Sequence, residues 1–282
     1  MSMIGAHVSI AGGVFYAIER GEALGCEAIQ VFTKNQLQWK AAPIPQGQSE
    51  RFLKKWSNSP IRKIVAHASY LINLAGSRDI RRKSIDALTD EICRCDQLGI
   101  DDLVLHPGSH RGKGAEEGIR SASEALAEVL DRTEPLRVRV LLETMSGQGD
   151  GIGASLEELA MIFESVEPEP ANRIGICLDT CHIFTAGYEI RTVEGYERIV
   201  RRVEKLFGRE SVGCWHLNDS KEGKGSGRDR HQHIGAGTIG TDLFGRIVAD
   251  ERWKEVPCIL ETPKGNQDDQ RNLSLLRKLR GY

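Results

Sequence analysis

The chain has 282 residues, 40% of them apolar and 28% charged, an ordinary globular composition that excludes a disordered or low-complexity protein and supplies enough apolar material for a sizeable core. A formal net charge of −2 excludes a protein that grips nucleic acid by bulk positive charge, so any such potential has to be local. No stretch approaches the about 18 consecutive apolar residues of a membrane span, and the first residues, MSMIGAHVSI, have no basic leader before a long apolar run.

Short apolar runs alternate with amphipathic stretches from one end to the other, the pattern of repeated βα units. Strands are predicted over 3–8, 28–33, 63–68, 102–107, 138–144, 173–180, 212–218 and 256–262, with helices in most intervals. The helix predicted over 79–98 shows the periodicity well. Ile80, Ser84, Ala87, Leu88, Ile92 and Leu98 form a mostly apolar stripe, its charged face reads as solvent surface, and Gly99 sits where a C-cap belongs. Gly147, Gly149, Gly151 and Gly153 follow a strand, but they lack GxGxxG spacing and a Walker lysine, so they read as a flexible βα loop. The irregular segment 219–238 is too long for a plain connector in a compact barrel and reads as a functional loop. With no linker or composition shift, the expectation is one domain over 1–282, an α/β fold made of a single TIM (β/α)8 barrel.

Seven cysteines, an odd number without CxxC pairs, fit free thiols in a reducing compartment, so the chain reads as cytoplasmic. Cys177 reads as a small core residue on the same side of its strand as Asp179.

The chemistry sits at the ends of the apolar runs, which finish on His7, His67, His106, Glu143, Asp179, His216 and Glu261. From His67 onward the separations are 39, 37, 36, 37 and 45 residues, close to one βα repeat. A lone histidine at a strand end is usually a rim or core residue, but the same coincidence in consecutive strands is not. Barrel geometry puts all of these side chains on the C-terminal rim, and carboxylates tipped into a barrel mouth call for a neutralising cation. Two further clusters lie in loops. Asp179 and His182 in DTCH straddle a bend and are able to serve different metals; in DRH, Asp229 and His231 point the same way if extended, with His233 following. Imidazole and carboxylate without thiolate suit zinc, with manganese or iron as substitutes.

The motifs IGAHVS, FTKNQLQW, HASYLINLA, LHPGSH, LLETMSGQG, LDTCHIFTAGY, WHLNDS, GSGRDRHQHIG and LETP run in order over nearly the whole chain and closely resemble endonuclease IV, the metal-dependent apurinic/apyrimidinic endonuclease family. The resemblance implies three Zn²⁺: one held by His67, His106 and Glu143, a second by Glu143, Asp179, His216 and Glu261, and a third by His182, Asp229 and His231, with Mn²⁺ able to replace one. It implies Glu143 and Glu261 as catalytic carboxylates, water attacking the phosphodiester 5′ to an abasic site in double-stranded DNA, a 3′-hydroxyl and 5′-deoxyribose phosphate as products, and trimming of damaged 3′ termini. Gln36, Leu37, Gln38, Tyr70 and Leu71 stand where the family probes the duplex, Leu37 departing from a position often basic in relatives and Ala68 from one often acidic. Arg228 and Arg230 are candidate phosphate contacts, and a monomer is expected. His233 is extra to the ligand motif. The competing readings are a metal-dependent sugar isomerase or epimerase on the same barrel, whose sites have fewer histidines, and a binding module with a degenerate site, which would need a lost ligand.

Overall fold

The structure, a computed structural model, describes residues 1–166, 173–265 and 267–281. Eight parallel strands close into a barrel: β1 (Met3–His7), β2 (Ala28–Phe32), β3 (Lys63–His67), β4 (Asp102–Leu105), β5 (Arg139–Glu143), β6 (Ile174–Asp179), β7 (Val212–His216) and, after a short antiparallel pair, β10 (Pro257–Leu260). Closure is made by β1 pairing with β10 in the register Met3↔Pro257 to Ala6↔Leu260. The helices α1 (Tyr16–Ala23), α2 (Gln46–Ser57), α3 (Arg78–Gln97), α4 (Ala115–Arg132), α5 (Leu156–Ser165), α6 (Thr180–Thr185), α7 (Val193–Phe207), α8 (Thr241–Ala249) and α9 (Asp268–Arg280) supply the crossovers and the final layer. This is a TIM barrel, as expected. Each strand occurs where its apolar run predicted it, most of them a residue or two shorter, so His106 and Glu261 stand just beyond the last ladder positions.

Eight buried residues, one per barrel strand, pack together inside the barrel: Met3, Ala28, Val65, Val104, Leu141, Cys177, Cys214 and Ile259. Side chains alternate along a strand with a period of two. Two residues onward from seven of these positions stand Gln30, His67, His106, Glu143, Asp179, His216 and Glu261, and four onward from Met3 stands His7. The apolar filling of the barrel therefore fixes which side chains tip into its C-terminal mouth.

The stripe on α3 is wider than its apolar residues indicated. Ser84, Ala87, Leu88, Ile92 and Leu98 are buried and Gly99 adopts a left-handed φ of 67°, as the pattern required, while Ile80 is only half-buried. The face read as solvent surface is exposed at Arg82, Lys83, Asp86 and Asp96, and the reading needs correction only at Glu91 and Arg94, which are buried. Glu91 accepts the Ser69 backbone N–H at 3.1 Å and faces Lys34 at 3.5 Å; Arg94 donates to the carbonyls of Ala41 and Ala42. Both charges are satisfied by the loops that follow β2 and β3, which α3 thereby holds down.

The segment after β7 carries two short strands, β8 (Asp219–Ser220) and β9 (His231–Gln232), paired antiparallel. Among the described residues, no helix is long and apolar enough to cross a membrane.

Candidate metal centre

The rim side chains converge into three contiguous groups in which the nitrogen and oxygen atoms lie within 4.8 Å of one another: His67, His106 and Glu143; Glu143, Asp179, His216 and Glu261; and His182, Asp229 and His231. Glu143 joins the first two. Its Oε2 lies 2.9 Å from His106 Nε2 and 3.4 Å from His67 Nε2, while Oε1 lies 3.0 Å from His216 Nδ1. Glu261 approaches the same His216 nitrogen at 3.1 Å. In the third group Asp229 places one oxygen 3.2 Å from His182 Nε2 and the other 3.1 Å from His231 Nε2, and His231 Nε2 lies 3.6 Å from Asp179 across the gap to the second group. Asp179 caps α6 by accepting the His182 backbone N–H at 2.8 Å, so the bend in DTCH sends the two side chains into different groups.

Four imidazoles have one ring nitrogen tied away from the centre. His67, His182 and His231 offer Nδ1 to the carbonyl oxygens of Ala68, Thr144 and Glu261 at 2.7, 2.8 and 3.2 Å, and His216 offers Nε2 to Gln30 Oε1 at 2.8 Å. Such bonds fix the tautomer and leave the other nitrogen's lone pair for a cation. The Nε2 atoms of His182 and His231 are buried without a hydrogen-bond partner, although Asp229 is close, an arrangement a shared cation would resolve.

Electrostatics point the same way. Burial alone would lower the histidines, but the surrounding carboxylates overcome it: His67, His182 and His216 are raised, and His231, facing Asp179 and Asp229, is raised to about 9. Burial works against Glu143, Glu261 and Asp229 as well, yet the imidazoles hold all three below the usual carboxylate range. Without metal, these raised imidazoles favour their protonated form, placing positive charge where divalent cations would sit. The residues present fit such cations: nitrogen and oxygen donors, oriented from behind, with negative charge to neutralise.

Two alternative groupings draw in thiols, Cys177 and Cys214 with His216, and Cys181 with Asp179 and His231. Burial pushes the Cys177 thiol up and Cys181 to about 12, which disfavours the thiolate a metal needs at those two positions, whereas Cys214, against its burial, is drawn down to about 7 by its hydrogen bonds to Cys177 and His216. Cys177 belongs to the apolar filling of the barrel.

Gln30 and Asn218 are what the sequence reading missed. Gln30 is fully buried; besides receiving His216 it donates to Glu261 Oε1 at 2.6 Å and lies 3.0 Å from His7 Nδ1. His7, pushed down by burial, stays neutral and braces this amide outside all three groups. Asn218, also fully buried, donates to Asp179 Oδ2 at 2.7 Å and accepts the Glu261 backbone N–H at 2.9 Å. An amide is not an obvious metal ligand, yet Gln30 follows the two-residue offset shared by the ligand-type residues. His233 stands apart, 3.2 Å from Asn272 and 3.8 Å from Asp268.

The loops expected to probe a duplex sit above the first group. Tyr70 is half exposed, and its ring lies 5.4 Å from His67 and 5.7 Å from His106. Leu37, at 66% exposure, is the most exposed large apolar side chain in the described interior of the sequence, with Gln38 exposed beside it and Gln36 and Leu71 half-buried. Ser69 Oγ donates to the Gln36 carbonyl at 2.7 Å and so ties the two loops together. Arg228 and Arg230 are exposed on the 219–238 loop; Arg230 Nη1 lies 3.4 Å from Gln148 Oε1, which also accepts the Asp229 N–H. The glycine-rich loop thus supports the third group through Gln148.

The sequence profile of the xylose isomerase-like TIM barrel family matches residues 18–279. A probable endonuclease 4 from Chloroflexus aurantiacus is 45% identical over 282 residues, covering 99% of this chain and 98% of that protein. Another from Geobacter sulfurreducens is 44% identical over 280 residues, covering 98% and 94%. The crystal structure of endonuclease IV from Thermus thermophilus superposes with a TM-score of 0.87 at 34% identity, covering 98% of both chains. A D-psicose 3-epimerase, at 14% identity and a TM-score of 0.73, shares the fold alone. With 99% of its length matched in sequence and 98% in structure, the chain belongs to the endonuclease IV family of xylose isomerase-like TIM barrels.

Proposed function

We propose that this chain is a zinc-dependent apurinic/apyrimidinic endonuclease of DNA base-excision repair, hydrolysing the phosphodiester 5′ to an abasic site to leave a 3′-hydroxyl and a 5′-deoxyribose phosphate, and trimming damaged 3′ termini. The observation that carries the reading is three adjoining nitrogen–oxygen groups, two of them sharing Glu143, beneath loops that expose Tyr70 and Leu37. In this reading His67, His106 and Glu143, then Glu143, Asp179, His216 and Glu261, then His182, Asp229 and His231 each hold one Zn²⁺, with Mn²⁺ able to replace one. Bound there, the cations supply Lewis acidity, lowering the pKa of water and neutralising charge on the phosphate.

Within the chain, Glu143 and Glu261 set the spacing of the reacting groups, while Gln30 and Asn218 hold Glu261 and Asp179 from behind. Tyr70, Leu71, Gln36, Leu37 and Gln38 enter the gap left by the missing base and support the opened duplex. Arg228 and Arg230 add phosphate contacts, and the net charge of −2 implies that much of the attraction for DNA comes from the metals. All nine ligands come from one chain, so a monomer suffices, and the described cysteines are all free, in keeping with the cytoplasm.

An epimerase reading rests only on the shared barrel and leaves the third group without a task. The test is metal analysis together with a nicking assay on a duplex carrying one abasic analogue. Three metals per chain and incision 5′ to the lesion are expected; one metal and no nicking would overturn the proposal.

A further inference from the structure

We infer that Asp219 is the positioning residue of the His182, Asp229 and His231 group, fixing the loop that carries two of its three members; the inference rests on the reading of that group as a metal site. Asp219 is fully buried, yet it belongs to none of the three groups. Its carboxylate is surrounded by backbone N–H groups. Oδ1 accepts from Ser220 at 2.8 Å and from Ile239 at 2.9 Å, and Oδ2 accepts from Gly235 at 3.0 Å and from Gly237 at 3.1 Å. Four donors converging on one carboxylate form an anion nest that holds the turn at 235–239 against β8.

The consequence reaches the metal centre through the ladder. β8 pairs with β9 at Asp219↔Gln232 and Ser220↔His231, so the carboxylate that gathers the outgoing chain also sets the base of the strand bearing His231. Asp229 lies two residues before His231, and its backbone N–H is held by Gln148 at 3.2 Å. His182, by contrast, is placed by α6 and by Thr144, and the members of the other two groups come from barrel strands or the residues just beyond them. Loosening the turn should therefore disturb one group and spare two. The cradle admits no side chain at Gly237, where a Cβ would run into the Ser220 carbonyl oxygen and the Asp219 carboxylate.

Two variants of the full-length metal-loaded protein test this, Asp219→Asn and Gly237→Ala. In the first, the amide NH2 has no lone pair to offer two of the four donors; in the second, the carboxylate is pushed from its cradle without a change of charge. Each protein is equilibrated at fixed free Zn²⁺ in a chelator buffer, and zinc per chain is titrated. Two zincs are expected to keep the parental affinity while the third weakens on the order of 10- to 100-fold, the usual effect of losing a residue that orients a ligand. Parental affinity at all three sites in both variants, or an equal loss at all three, overturns the inference and leaves Asp219 a brace of the fold only. A parent chain that holds fewer than three zincs refutes the underlying metal reading instead, and does so before any variant is measured.

Discussion

Gln30 donates its side-chain amide to Glu261 Oε1 at 2.6 Å, across the closure of the barrel from β2 to the residue just beyond β10. The same side chain receives His216 Nε2, leaving His216 Nδ1 to face Glu143 and Glu261. One amide thus orients two members of the central group.

Replacing Gln30 with Met keeps volume and removes both bonds. His216 is then free to turn or change tautomer, and Glu261 loses its brace. Zinc affinity of the central group should fall on the order of 10- to 100-fold with little change in the fold. Chelator competition reads the affinity and circular dichroism the fold; an unchanged affinity would show that Gln30 merely fills space.

Glu261→Gln should separate cutting from binding. An amide occupies the same space but binds zinc poorly, so the second metal weakens and incision falls steeply. The loops carrying Tyr70 and Leu37 remain, and affinity for an abasic duplex should drop far less. Parallel measurement of nicking and of duplex binding decides; equal losses in both would contradict the assignment.

The metal-free protein should lose stability as pH rises from neutrality to above 9. His231 has its folded pKa raised to about 9 against about 6.5 when unfolded, so its contribution is fully present below about 6.5 and is lost as pH rises through 9. His67, His182 and His216 are raised too and act in the same direction. In zinc-loaded protein the imidazoles are already neutral, and the part of the loss between about pH 6.5 and pH 8.5 should vanish, while buried thiols such as Cys26, raised to about 11, cost both forms stability above about pH 8.5. Melting temperatures of the chelated and loaded forms between pH 6 and pH 9.5 test the sign. A metal-free form that gains stability over that window would overturn the pairing described.

Leu37 fills a gap by apolar contact alone, and its exposure leaves it free to do so. Leu37→Arg should tighten DNA binding at low salt and steepen the salt dependence by up to about 0.9 in slope, the value for one added phosphate contact. Leu37→Ala should instead weaken the preference for abasic over intact duplex and leave the slope alone. Binding to both duplexes at several salt concentrations distinguishes the effects. If Leu37→Ala behaves as the parent on both, the wedge is Tyr70 and Leu71 without Leu37.

Sequence alone was sufficient for the barrel and for which ligand-type side chains reach its mouth. Both follow from local rules: an apolar run makes a strand, alternation with period two sends Val65, Leu141 and Ile259 inward, and the same alternation carries His67, Glu143 and Glu261 to the rim. What sequence left open depends on neighbours far apart in the chain. The two oxygens of Glu143 are chemically equivalent until closure sets His106 beside one and His216 beside the other. Glu91 and Arg94 look like helix surface until the loops at Ser69 and at Ala41 and Ala42 fold over them. Gln30 is an unremarked amide in its own strand and becomes part of the centre only because barrel closure carries Glu261 and His216 within its reach, since a hydrogen bond is decided at about 3 Å and the chain separates these residues by 231 and 186 positions.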